Sequence, residues 1–116
     1  MTSRNKEIIR KLNKGFEMDD IEVILSCLAD DIRWEVAGHF IAMGKDEYRK
    51  QIHNDAFEGA PIITIKNEIA EGDDVAVEGS VESKMKNGTI FKALFHNTYT
   101  LENEKVKSMT SYVVPI

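Results

Sequence analysis

The stretch from Asp19 to Val36, DDIEVILSCLADDIRWEV, constrains the fold most, because its apolar period changes partway along. Ile21, Ile24, Leu25 and Leu28 fall at the i, i+3, i+4, i+7 spacing of one buried helix face. Asp19 stands where an N-cap belongs, and Glu22 three residues later makes an acidic capping box. Ile32, Trp34 and Val36 then alternate with Arg33 and Glu35, the two-residue period of a strand. A helix over 19–28 therefore turns at Ala29-Asp30-Asp31 directly into a strand over 32–36, with tryptophan on its inner face.

The chain on either side follows the same logic. Residues 3–17 read as a first helix with Ile8, Ile9, Leu12 and Phe16 on one face and Thr2 or Ser3 as cap. Gly38 to Gly44 reads as an apolar loop covering something, since loops that face water are normally polar. A third helix over 45–56 places Tyr48, Ile52 and Ala56 together. From Pro61 the pattern is all strand: Ile63, Ile65 and Ile69 in one run, Val75 to Met85 in the next, Thr89 to Leu101, and Lys105 to Val114. Gly72-Asp73-Asp74 and Glu102-Asn103 are turns, and Asn87-Gly88 is a hairpin signal because both residues tolerate positive φ. Val106, Met109 and Tyr112 break strict alternation, which predicts a bulge in the last strand.

This order predicts an α+β cone: a curved antiparallel sheet over 61–114, closed on one face by the N-terminal helices, with the strand of 32–36 at the mouth. At 116 residues the chain is expected to be a single domain, 1–116, that folds without metal or disulfide. One cysteine, Cys27, excludes an internal disulfide and fits a reducing, cytoplasmic compartment. No secretory signal or membrane span is expected. A net charge of −5 argues against a general nucleic-acid binder.

The run DIEVILSCLADDIRWEV, the Gly-rich loop after it and GKDEYRKQI resemble the nuclear-transport-factor-2-like superfamily, and more closely its SnoaL-like and ketosteroid-isomerase-like branch. The resemblance implies a cystatin-like arrangement of helices on a curved sheet. It implies either a small-molecule enzyme, such as an isomerase, cyclase or hydrolase, or a non-catalytic binding module; fold does not choose between them. Isomerases of that branch use a carboxylate base on the first strand, aligned with Val36, and a tyrosine donor on the first helix, aligned with Leu12. Their second donor, a protonated aspartate on the penultimate strand, aligns with Asn97. Valine takes no proton and leucine donates none, so that machinery is incomplete here.

The candidate site residues follow from phase. Phe91, Ala93, Phe95, Asn97, Tyr99 and Leu101 share one face of the long strand, so Asn97 is a lone amide among aromatics. It is either a pocket donor or an amide satisfying a buried neighbour or water. The expected ligand pocket has Trp34, Val36, Phe95, Asn97 and Tyr99 on its wall and the loop of 38–43 as its lid. Asn97 and His39 are the candidate catalytic groups; His39 is otherwise an exposed loop histidine. Trp34 is equally a core residue whose N–H needs a partner. His53 reads as a helix surface residue, and His96 points away from Asn97. Three histidines on three elements carry no metal spacing, so no metal and no cofactor is expected. Cys27, with no adjacent base, reads as a small apolar residue.

Two functions stay open: a protein binding a small apolar or weakly polar molecule, catalytic or not, and a non-catalytic module for dimerisation or protein interaction. A homodimer is expected from the outer face of the long strand, where Ile90, Leu94, His96, Thr98 and Thr100 line up.

Overall fold

The computed structural model describes residues 4–52 and 57–116. The elements run α1 (Arg4–Glu17), α2 (Ile21–Ser26), β1 (Leu28–Val36), β2 (Phe40–Met43), α3 (Gly44–Ile52), β3 (Phe57–Glu71), β4 (Asp74–Met85), β5 (Ile90–Glu102) and β6 (Lys105–Pro115). The six strands form one sheet in the order β2-β1-β6-β5-β4-β3. The helices cover its inner face, the α+β cone that the apolar periods predict. The expected cap at Thr2 or Ser3, and His53 and Ala56 at the end of the third helix, lie outside the described residues. No helix among the described residues is long and apolar enough to cross a membrane.

The helices form around their apolar stripes, except that Leu28, expected on the stripe of 19–28, begins β1 after α2 has ended at Ser26. Ile8, Ile9 and Leu12 of α1 and Ile24 and Leu25 of α2 are buried together in the core. The junction between the helices departs from expectation. Asp19 takes φ +53 and ends α1, so the N-cap role falls to Asp20 in extended geometry. The Asp20 carboxylate accepts from Val23 N at 3.2 Å. Glu22 closes no capping box; it pairs instead with Arg49 of α3 at 3.3 Å.

The sheet is mixed rather than wholly antiparallel. β6 pairs antiparallel with β5 but parallel with β1, matching Trp34 to Met109 and Val36 to Ser111. Between β1 and β6 the chain passes through β2, α3 and the β3–β5 meander, and it returns so that the two strands run the same way. The turn expected at Ala29-Asp30-Asp31 is an irregularity inside β1, whose register jumps between Leu28 and Arg33. The lid expected over 38–43 is instead the tip of a hairpin and β2, paired from Val36↔Phe40 to Arg33↔Met43. All four residues of Phe40–Met43 are apolar, so the two-residue period is invisible in the sequence although Ala42 is buried and Ile41 and Met43 are exposed.

Bulges bend the long strands around α1. β3 begins four residues before Pro61, and a register shift between Glu58 and Ile62 carries Gly59 at φ +74 and Pro61, where a missing N–H is harmless. A second shift between Ile65 and Asn67 reverses the phase, so Ile69 is 58% exposed and does not join Ile63 and Ile65. The bulge expected in the last strand falls between Val106 and Ser108, opposite Leu101 and Thr100. It leaves Val106 and Met109 inward, and Tyr112 faces out.

Gly79 marks the tightest approach in the curved region. A Cβ there would run into the Thr64 carbonyl oxygen and come within 3.0 Å of the Phe95 ring. Gly79→Ala is therefore expected to destabilise the fold by about 1–3 kcal/mol, as overpacking does, measured as a lowered urea midpoint with little change in slope. A midpoint equal to wild type would show that β3 and β4 can part at no cost.

Candidate functional site

On the concave face, α1 and the sheet leave a cavity of about 170 Å³. Its wall is drawn from six elements. Asn13 and Phe16 come from α1, Trp34 and Val36 from β1, Ile63 from β3, Val81 from β4, Phe95 and Asn97 from β5, and Met109, Ser111 and Val113 from β6. The rows across the sheet explain the grouping. Val36, Ser111, Asn97 and Val77 are successive register partners, and so are Trp34, Met109, Tyr99 and Val75. Because side chains alternate, every second residue of each strand arrives on this one face.

Of the residues expected on a pocket wall, Trp34, Val36, Phe95 and Asn97 line this cavity. Tyr99 does not: it is buried behind Asn97, whose Nδ2 donates to its hydroxyl oxygen at 3.1 Å. Leu12 is buried in the core, and the first-helix side chain that reaches the cavity is Asn13, one residue on. His39 stands exposed at the tip of the β1–β2 hairpin, away from the wall. His96 lies exposed on the outer face. Sequence reasoning passed over Asn13 and Ser111. Asn13 reads as the polar neighbour of an apolar stripe, and Ser111 as the outward partner of Tyr112, until the bulge resets the phase of β6.

Trp34 serves core and cavity at once. Tyr48 of α3 packs on it with ring centroids 4.5 Å apart, and Phe40 of β2 meets it edge-on at 5.1 Å. Its Nε1 donates to Ser111 Oγ at 3.0 Å, the partner that a buried indole requires.

The cavity wall is apolar and, among its residues, nothing titrates. The buried tyrosines beside it are held neutral. Burial pushes the Tyr99 hydroxyl pKa up, with the Asn97 hydrogen bond pulling the other way, and burial does the same to Tyr48. Burial likewise raises the Cys27 thiol, which donates to Val23 O, so it is a poor nucleophile; the cap on α2 comes from the Cys27 backbone N–H. Among the described residues no group of His, Cys, Asp and Glu could hold a metal ion. The polar content of the cavity is two amides and a hydroxyl. Asn13 Nδ2 and Asn97 Oδ1 are both buried with no hydrogen-bond partner among the described residues. Each such atom, left unpaired, costs about 1–3 kcal/mol. A larger groove, of about 420 Å³, lies where α1 and α2 meet Phe57 and Pro61, and it presents Asp19 and Lys86.

Ser111→Ala removes the Trp34 N–H acceptor and leaves a buried donor unpaired. The expected loss is about 1–3 kcal/mol in urea unfolding, with Ser111→Thr retaining most of the stability. Equal stability for Ser111→Ala would show that the indole finds another acceptor.

With this geometry in view, the comparisons with known proteins are specific about fold. A model of the SnoaL-like domain family matches residues 9–109. An NTF2-like protein of unknown function from Burkholderia pseudomallei superposes with a TM-score of 0.87 at 21% identity, over 95% of this chain and 90% of that one. TerC, co-crystallized with polyporic acid, gives 0.81 at 24% identity, over 94% and 90%. A LEH-like epoxide hydrolase of M. tuberculosis gives 0.85 at 12% identity, over 97% and 84%. No curated protein sequence matches the chain.

Proposed function

The chain belongs to the SnoaL-like domain family, and on that premise we propose that it binds a small apolar or weakly polar molecule in the cavity between α1 and the sheet. The observation that carries this reading is a concave, apolar cavity in which the polar atoms are buried amides rather than charges. Such sites hold a ligand mainly by apolar contact and orient it with a few polar groups. Trp34, Val36 and Phe95 supply the apolar wall and Asn97 the polar contact, with Tyr99 fixing the amide from behind. TerC, which shares the fold, was co-crystallized with an organic molecule, polyporic acid.

Binding, not turnover, is the function assigned. Isomerase, cyclase or hydrolase chemistry needs a group that accepts a proton, and Val36 stands where the isomerase base would be. No described wall residue replaces it, and His39 is off the wall. A ligand without charge suits this site, since a buried ion would have no counter-charge there. The single buried cysteine is in keeping with a cytoplasmic setting.

The chain's one tryptophan makes the test direct. Ethylbenzene added to the labelled protein is expected to shift the Trp34 indole N–H resonance, and Val81→Phe, which fills the cavity, to abolish the shift. An unmoved Trp34 signal in the wild-type protein would refute the reading.

A second reading concerns the outer face. Leu94, Tyr112 and Val114 are 49%, 51% and 59% exposed, and register places Leu94 beside Val114 and Tyr112 beside His96. The neighbouring charges Lys92 and Glu82 pair with each other at 3.5 Å, so two copies of this face can meet without net repulsion. On this ground the protein is proposed to form a homodimer through the outer face. Light scattering at micromolar concentration should give twice the 13.2 kDa chain mass, and Leu94→Lys with Val114→Lys should halve it. A wild-type monomer would remove the dimer and leave the cavity reading untouched.

A further inference from the structure

Building on the ligand-binding reading, we propose that the cavity selects a neutral ligand carrying both a hydrogen-bond acceptor and a hydrogen-bond donor, held between Asn13 of α1 and Asn97 of β5. The two amides belong to different layers, one to a helix and one to the sheet, yet line the same cavity. Each has one buried atom without a partner among the described residues, and the two atoms are of opposite kind. Asn13 Nδ2 is a donor. Asn97 Oδ1 is an acceptor, because the Nδ2 of that side chain is engaged with the Tyr99 hydroxyl at 3.1 Å.

Both unpaired atoms are buried from water. Tyr99 is 1% exposed and tethers the Asn97 amide from the core side. Asn13 is 8% exposed, and its helix is anchored by Ile9 and Leu12, both at 0%. The group that satisfies both atoms must offer a lone pair to Asn13 and an N–H or O–H to Asn97. A plain ketone satisfies only Asn13. An anion meets the Asn97 oxygen with repulsion and finds no cation on the described wall. A neutral primary or secondary amide, or a hydroxyl group beside a carbonyl, answers both.

The test uses four probes of nearly one shape: benzamide has donor and acceptor, acetophenone an acceptor alone, ethylbenzene neither, and benzoate a charge. Affinities are read from the Trp34 indole N–H resonance. One added hydrogen bond predicts benzamide tighter than acetophenone by about tenfold, with ethylbenzene weaker still and benzoate unbound. In Asn97→Leu, benzamide should lose its advantage over acetophenone; in Asn13→Leu, acetophenone should lose its advantage over ethylbenzene. Should Asn13→Leu fail to fold, Asn97→Leu and the wild-type ranking decide. Equal affinity for benzamide and acetophenone would overturn the proposal: Asn97 would then present its N–H, with Tyr99 donating to its oxygen. A benzamide preference that survives in Asn97→Leu would overturn it as well. So would coupling of the two substitutions in stability without probe, the double variant losing no more than either single one, because the amides would then bond each other. Binding of ethylbenzene with no ranking among the neutral probes sinks this inference alone, whereas silence toward all four sinks the ligand-binding reading with it.

Discussion

The parallel pairing of β1 with β6 holds the two halves of the molecule together. β6 is hydrogen-bonded on both edges, to β5 on one side and β1 on the other, and so joins the helical half to the C-terminal meander. Backbone bonds at both ends secure the seam: Val106 N donates to Cys27 O, and Ala37 N to Ser111 O, each at 2.9 Å. Across this seam Trp34 reaches Ser111. The cavity is therefore not a property of the meander alone. Its wall exists only once β1 has docked, and the docking depends on burying Leu28, Ile32 and Trp34 against α1, α3 and β6.

The polarity of the cavity follows from how that seam is built. The inward row beside it sets two small polar side chains between two valines: Val36, Ser111, Asn97, Val77. Ser111 is occupied by the indole, and Asn97 is half occupied by Tyr99. What remains toward the cavity is one amide atom on the sheet and one on the helix. Polar atoms of this kind can orient a neutral guest, and no described residue of the cavity wall is ionisable. The inward face of this SnoaL-like fold thus presents amides and a hydroxyl, and no carboxylate among the described wall residues.

Much of the architecture was legible in the chain because burial has a period. The helix stripes of Ile8, Ile9, Leu12 and of Ile24, Leu25 were read correctly, as was the inward face of β5, which runs Phe91 to Leu101 without a break in alternation. Errors gather where the period is interrupted or hidden. Ile69 was assigned to the wrong face because one bulged residue near Lys66 inverts everything after it. β2 was missed because four consecutive apolar residues show no alternation. Asp20, not Asp19, caps α2 because the preceding helix ended in a left-handed residue, a choice that two adjacent aspartates do not reveal.

The sequence by itself determined that Ile8, Ile9, Leu12 and Ile24, Leu25 form helix stripes, that β5 alternates, and that Trp34, Val36, Phe95 and Asn97 fall on inward faces, since all of these are local consequences of side-chain spacing. Tertiary structure alone decided that β1 runs parallel to β6, that Asn13 rather than Leu12 looks into the cavity, that Tyr99 stands behind Asn97 and that Ser111 receives the indole N–H. The reason is physical. Register and helix rotation are set by packing between elements distant in the chain, and a shift of one residue exchanges a core position for a cavity wall.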